Sequence, residues 1–290
     1  MKIMVTGASG GYGRFAMEYL KDVPADVQII ALVRDPSKGK ELEDMGFEVR
    51  IGDYSDLGSM KRAFIDIDRL LFVSVPVTEL QKNVVEAIKD SNIEYVVYTS
   101  LFSPQYSKFG LEENHRKTEK MIAEAGVKHT FLRNSWYIDM NGEYLKASAE
   151  NGVYPYLSDD AVITWALKRE YAEAGAKTIL HGSDEEIVEL SNRPVTYKQM
   201  GESLKEAVGK DIDLVKVDKD GFESMLRGYG VSDIGIMLPS VYQQYAIAGK
   251  NGENEGDPSE FEKILGHPLT PLTDAIRETI SKEQWIGVIR

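Results

Sequence analysis

Residues 1–16 read MKIMVTGASGGYGRFA, an apolar strand pattern that runs into a glycine-rich turn and straight on into a helix pattern. Gly7, Gly10 and Gly13 give G-x-x-G-x-x-G, with Ser9, Gly11 and Tyr12 between them. Glycine lets the backbone turn sharply and lets a ligand approach the main chain, while the following helix N-terminus offers free N–H groups and a partial positive charge. A pyrophosphate fits that combination. The position after a first strand and before a first helix reads as a dinucleotide fingerprint. Two other patterns share these residues. Gly11, Gly13 and Ala16 match G-x-G-x-x-A, which leaves the chemistry unchanged. Gly7 to Gly11 match G-x-S-x-G, which would make Ser9 a hydrolase nucleophile. No HGGG-type oxyanion segment accompanies it, and the elbow would fall on the first strand. The loop is read as a phosphate cradle.

Outward from this loop, short apolar runs alternate with helix-length segments. Strands are predicted at 2–6, 27–33, 48–51, 69–73, 95–99 and 129–132, and helices at 15–21, 38–44, 57–65, 79–90 and 118–124. Such alternation predicts an α/β fold, a doubly wound parallel sheet covered on both faces. After Asn134 the rhythm changes to short strand candidates at 161–165, 187–190 and 213–217 with amphipathic helices at 200–207, 221–226 and 272–280. The division expected is a dinucleotide-binding Rossmann domain at 1–134 and a smaller α+β substrate lobe at 135–290, partly interleaved with it. Residues 251–257 (NGENEGD) read as a polar loop that adds nothing to a core.

Composition narrows the partners. The 290 residues carry 34 basic and 47 acidic side chains, a net charge of −13, which argues against nucleic acid or an anionic membrane surface. There is no cysteine, so disulfides, thiolate catalysis and cysteine-ligated zinc are excluded. The four histidines stand at no metal-ligand spacing, and no metal is expected. The first strand begins at once and leaves no room for a signal peptide, so a soluble cytoplasmic protein is expected. Homo-oligomer formation is compatible with the sequence, which sets no stoichiometry.

The second strand ends ALVRDPSK. An acid after this strand bonds the ribose 2′-hydroxyl of NAD, whereas an arginine accepts the 2′-phosphate of NADP. Arg34 stands there, 21 residues past Gly13, with Lys38 a helical turn on. A guanidinium matches phosphate bidentately, so NADP is the predicted cofactor. Asp35 follows directly and leaves a ribose acid as the alternative. Asp53, after the third strand, is placed either to meet the adenine edge or to cap the next helix.

Taken together, VTGASGGYG, ALVRDPSK, IGDYSD, YTSLFS, ENHRKTEKMIAEAG, FLRNSWY and LGHPLTPL make nearly the whole chain resemble the NmrA-like branch of the atypical short-chain dehydrogenases, and within it the bacterial type-2 NADPH:quinone oxidoreductases. The resemblance implies NADP across the sheet, adenine toward Arg34 and nicotinamide toward the cleft between the lobes. It implies further that Ser74, Val75 and Pro76 line the cofactor, that Asn134, Ser135, Trp136 and Tyr137 flank the nicotinamide, and that Lys168 approaches the same end. The chain departs from relatives that carry a serine-rich turn after the fourth strand, since it has Val75 and Pro76 there.

Ordinary short-chain dehydrogenases use Tyr-x-x-x-Lys on one helical face. Arg116 stands at the tyrosine position here and Lys120 at the lysine position. Without the tyrosine acid, ketone reduction lacks its proton donor, since an alkoxide is a poor product at neutral pH. A quinone instead yields a stabilised hydroquinone anion that water can protonate, so holding the reactants together suffices. Lys120 and Tyr137 are the candidate catalytic residues, with Trp136 and Tyr137 able to stack on a flat ring. His115 and Tyr98 are polar groups at the cleft, read first as structural. The expected activity is NADPH-dependent reduction of a small quinone-like compound. The alternative is a non-catalytic NADP-binding redox sensor of the NmrA type.

Overall fold

Along the first strand Ile3 and Val5 enter one buried cluster while Met4 between them enters another, the alternation of a strand covered on both faces. The computed structural model describes residues 1–106 and 108–281. It contains β1 (Lys2–Val5), β2 (Gln28–Val33), β3 (Glu48–Ile51), β4 (Arg69–Phe72), β5 (Tyr95–Leu101) and β6 (Lys128–Asn134). The second half contributes β7 (Trp136–Tyr137), β8 (Val153–Tyr156), β9 (Val162–Ala166), β10 (Ile187–Leu190), β11 (Pro194–Thr196) and β12 (Asp213–Lys216). A seven-stranded sheet runs β10-β6-β5-β4-β1-β2-β3, and every neighbouring pair is parallel. The strand order reverses between β1 and β4, which opens a crevice beyond their carboxyl ends. This is the doubly wound sheet expected from the sequence.

The seventh strand comes from beyond residue 134. β10 joins β6 with Ile187 opposite Phe131 and Leu190 opposite Asn134. The helix Lys168–His181 also returns to the sheet and packs on the helix Gly11–Tyr19. Tyr12 Oη donates to Tyr171 O at 2.8 Å, and a Cβ on Gly175 would lie 2.3 Å from Tyr12 Oη, so only glycine allows this approach. The chain thus leaves the first layer after Asn134, returns with this helix and β10, and returns once more with the helix Ser259–Leu265, whose Phe261 and Leu265 join the same buried cluster.

The lobe has its own core, built on Trp136, Tyr144, Tyr154, Ile163, Trp165, Tyr197, Met200, Leu204, Phe222 and Ile276. Each such side chain stabilises by about 1.5–3 kcal/mol on burial. Small sheets β11-β9-β7 and β12-β8 frame it. The helices Gly142–Asn151 and Asp233–Ala248 and the strand β8 are elements that the sequence reading did not anticipate. The run 251–257 corrects the expectation of a loop outside the core, because Asn251 and Glu253 are buried within it. Residues 282–290, part of the expected lobe, lie outside the described residues. Among the described residues no helix is long and apolar enough to cross a membrane.

Candidate active site

The loop after β1 turns through Gly7 at φ +58°, in the left-handed region that favours glycine, and Gly10 N donates to Gly7 O at 2.9 Å. A Cβ on Gly13 would stand 2.2 Å from Gly7 O, so the helix can start this close to the loop only without one. The helix Gly11–Tyr19 begins at Gly10 with no side-chain cap and no acid in its first turn. Its N-terminal N–H groups therefore face the crevice without an internal competitor, as an anion requires. The cradle fits a pyrophosphate.

A cleft of about 570 Å³ extends from this loop in both directions. Gly7, Ser9, Gly10, Gly11, Tyr12, Gly13, Arg34, Lys38, Asp53, Ser74, Val75, Pro76, Asn134, Ser135, Trp136, Tyr137 and Lys168 all line it. Arg34 and Lys38 stand exposed on its rim at the end of β2. Asp35 also lines the cleft, and its Oδ1 accepts from Ser37 Oγ at 2.8 Å and Ser37 N at 2.9 Å, which lowers its pKa. It caps the short turn Pro36–Lys38. Asp53 does the same for Ser55, accepting from its N at 2.8 Å and its Oγ at 2.7 Å. The Tyr12 hydroxyl points to Tyr171 O, so its part in the cleft is a buried ring wall and a backbone.

The far end of the cleft lies beyond β4, β5 and β6. The turn Ser74–Pro76 is pinned there: Ser74 N donates to Thr99 Oγ1 at 2.9 Å, Val75 N to Gln81 Oε1 at 3.1 Å, and Asn114 Nδ2 to Val75 O at 2.9 Å. Asn134 Nδ2 donates to Tyr137 Oη at 3.3 Å, while Asn134 Oδ1 is buried without a hydrogen-bond partner. An unpartnered buried carbonyl oxygen costs about 1–3 kcal/mol and suits a ligand that brings an N–H, such as a carboxamide. Burial pushes the Tyr137 hydroxyl up to about 12. The Lys168 ammonium lies 5.6 Å from the centre of the Tyr137 ring, within cation–π range. Trp136 is packed in an aromatic cage with Phe109, Tyr242 and Tyr245, ring centres 4.5, 5.1 and 5.2 Å away.

Lys120 is the exception. Its side chain is 76% exposed and pairs with Glu124 on the outer face of the helix Glu112–Glu124, at 3.7 Å. The face turned inward carries Asn114, His115, Thr118, Glu119 and Ile122. One residue is 100° of helix, and that is the whole error: His115 and Glu119 occupy the inner positions expected for Arg116 and Lys120. Ile122, spaced four and seven residues from Thr118 and His115, is the sequence signal that marks this stripe. His115 lines the cleft, its Nδ1 3.0 Å from Tyr98 Oη. Burial lowers its pKa to about 4 against the pull of Glu119 and Glu112, so the ring is neutral at physiological pH. Glu119 faces away from the cleft into an ion pair, with Arg133 Nη2 at 2.7 Å and Nε at 2.9 Å, and accepts from Ser100 Oγ at 2.6 Å.

Sequence reasoning missed Glu253. Its carboxylate sits beneath Ser135 and Trp136, 1% exposed. It accepts from Trp136 Nε1 at 2.7 Å, Tyr245 Oη at 3.1 Å, Thr164 N at 2.7 Å and Thr164 Oγ1 at 2.9 Å. Thr164 in turn is hydrogen-bonded to the Ser135 hydroxyl. No sequence signal marks a single acid in an acidic, glycine-rich run as buried.

The likenesses to known proteins agree with this geometry. Residues 7–154, just over half the chain, match a family model described as NAD(P)H-binding. Quinone oxidoreductase 2 of Escherichia coli K12 is 31% identical over 281 residues, covering 94% of this chain and 97% of that protein. The NmrA-like family domain-containing oxidoreductase flvB of Aspergillus flavus is 27% identical, covering 97% and 95%. Among solved structures, the triphenylmethane reductase of Citrobacter sp. superposes with a TM-score of 0.88 at 29% identity over 97% of this chain and 100% of that one. The Escherichia coli NADPH-dependent quinone oxidoreductase complexed with NADPH gives 0.83 at 30% identity over 95% and 99%. On the matched family model and these full-length likenesses, the chain belongs to the NmrA-like, NAD(P)H-binding family of oxidoreductases.

Proposed function

We propose that this protein is an NADPH-dependent reductase that passes hydride to a quinone or a similar small electron-poor carbonyl compound. The observation that carries the reading is the inner helical face at His115, which holds no tyrosine acid and no lysine beside an aromatic-walled cleft. Such a site suits an acceptor whose reduced form is a stabilised anion. When bound, NADPH supplies the hydride. The loop Gly7–Gly13 would hold its pyrophosphate, Arg34 and Lys38 the 2′-phosphate, and the buried Asn134 Oδ1 its carboxamide. Asp35 lines the same cleft with one carboxylate oxygen engaged by Ser37, so the preference for NADPH rests on Arg34 and Lys38. Tyr137 and Trp136 would present flat faces to the acceptor, and the buried walls around them would exclude water from the reacting end. The Escherichia coli quinone oxidoreductase, similar to this chain in both sequence and structure, supports the same class of acceptor.

The test is NADPH oxidation by the purified protein, with and without benzoquinone or naphthoquinone, and with NADH run beside it. Quinone-dependent turnover that prefers NADPH is the expected result. Tight NADPH binding with no turnover on any quinone would transfer the reading to a redox sensor.

A further inference from the structure

We propose that His115 is a catalytic residue that donates a hydrogen bond to the acceptor oxygen on which negative charge develops, in the place a tyrosine acid would otherwise take. The inference rests on the quinone-reductase reading above. Acceptance of hydride, one proton with two electrons, converts a quinone to the hydroquinone monoanion, and a proton from water completes the hydroquinone. The group that faces this oxygen should be a donor, neutral before reaction, and fixed in direction.

His115 meets each requirement. It projects from the one face of the helix Glu112–Glu124 that is turned to the sheet, and it lines the cleft on the β4–β5 side together with Ser74, Thr99 and Ser100. The opposite side of the switch point, at β2 and β3, carries the cationic rim of Arg34 and Lys38. A dinucleotide whose phosphates span the Gly7–Gly13 loop therefore directs its reactive end toward His115.

The ring is fixed from behind. Tyr98 is fully buried, and its hydroxyl lies 3.0 Å from His115 Nδ1 and 3.1 Å from Gln81 Oε1. Gln81 in turn donates to Thr118 Oγ1 at 2.8 Å and Asn114 Oδ1 at 3.1 Å. The Tyr98 hydrogen has two acceptors, and Gln81 Oε1 keeps the Val75 N–H at 3.1 Å when that hydrogen turns to His115. The network therefore accommodates the tautomer with its proton on Nε2 and leaves no member unbonded. Burial keeps the ring neutral, so it donates without a charge that would have to be neutralised first. Removal of the imidazole leaves Tyr98 bonded to Gln81, so a structural role alone predicts little change in the site around it.

The experiment compares wild type with His115→Ala and His115→Gln, with Tyr137→Phe as the rival hydroxyl donor. Three quantities are read: NADPH affinity, kcat/KM for benzoquinone, and the Kd of hydroquinone for the NADP-bound protein. The alanine variant should keep NADPH affinity within about 2-fold, lose about 10- to 100-fold in kcat/KM, and weaken hydroquinone binding to a similar degree. The glutamine variant, whose amide still donates, should recover part of both losses. His115→Leu fills the ring volume without a donor and serves if alanine loosens the helix. Wild-type quinone turnover in the alanine and leucine variants overturns this inference and leaves the quinone-reductase reading standing, as does a loss confined to Tyr137→Phe. Absence of quinone turnover in the wild type itself removes the parent reading and this one with it.

Discussion

The indole N–H of Trp136 donates to Glu253 Oε1 at 2.7 Å, joining residues 117 positions apart. One oxygen of that carboxylate takes Trp136 and Tyr245, and the other takes the main chain and hydroxyl of Thr164. The hydroxyl pair between Thr164 and Ser135 carries the constraint to a second cleft residue. Gly256 makes the docking of this segment possible, since a Cβ there would meet Thr164 Cγ2 at 2.4 Å and Asn192 O at 2.5 Å. A buried carboxylate with four donors is costly to disturb, because each would be stranded.

Glu253→Gln puts an NH2 against donors that need an acceptor. The variant should lose about 1–3 kcal/mol of stability in urea unfolding and raise the KM for the acceptor through a displaced Trp136. An unchanged unfolding midpoint with unchanged KM would contradict the role given to this contact.

Arg34→Ala should weaken NADPH binding about 10- to 100-fold, the scale of one lost charge-assisted phosphate contact, and NADH binding much less. Titration of both cofactors measures the difference. Equal losses would remove Arg34 from the 2′-phosphate.

Lys120→Ala should leave kcat and KM unchanged, since its ammonium is paired with Glu124 on the solvent side. An exposed pair of this kind contributes about 0–1 kcal/mol. Steady-state kinetics decide; a large fall in kcat would restore the lysine to the site.

Gly13→Ala forces a methyl into Gly7 O and should cost about 1–3 kcal/mol and most of the cofactor affinity. Gly10→Ala, whose Cβ would lie 3.2 Å from the same oxygen, should do less on both counts. Thermal unfolding with and without NADPH separates the two variants.

His267 predicts a pH dependence. Its Nδ1 lies 2.8 Å from Pro268 O and its Nε2 3.1 Å from Glu173 Oε1, which together raise its pKa above the usual histidine value. A raised folded-state pKa adds stability that is complete below about pH 6.5 and fades as pH rises through the folded value. His267→Asn should therefore lower the Tm at pH 5.5 and leave it nearly unchanged at pH 8.5. The same deficit at both pH values would show that the contact does not depend on protonation.

Much of the dinucleotide half is legible in the chain itself. Gly7, Gly10 and Gly13 announce the cradle because φ and Cβ clashes are local matters, and β-branched runs announce strands because a strand buried on both faces has few polar places. Arg34 is legible for the same reason, since it stands a fixed distance after a recognisable loop. Tertiary packing decided the rest. Which face of the helix Glu112–Glu124 meets the sheet depends on Tyr98 and Gln81, residues on other elements, and a shift of one position exchanged Lys120 for Glu119 and Arg116 for His115. The place of β10 depends on pairing with β6, 56 residues away in the register of Ile187 and Phe131. Glu253 reads as a solvated acid until Trp136, Thr164 and Tyr245 surround it, because burial of a charge is set by the donors that other segments bring and leaves no periodicity in its own neighbourhood.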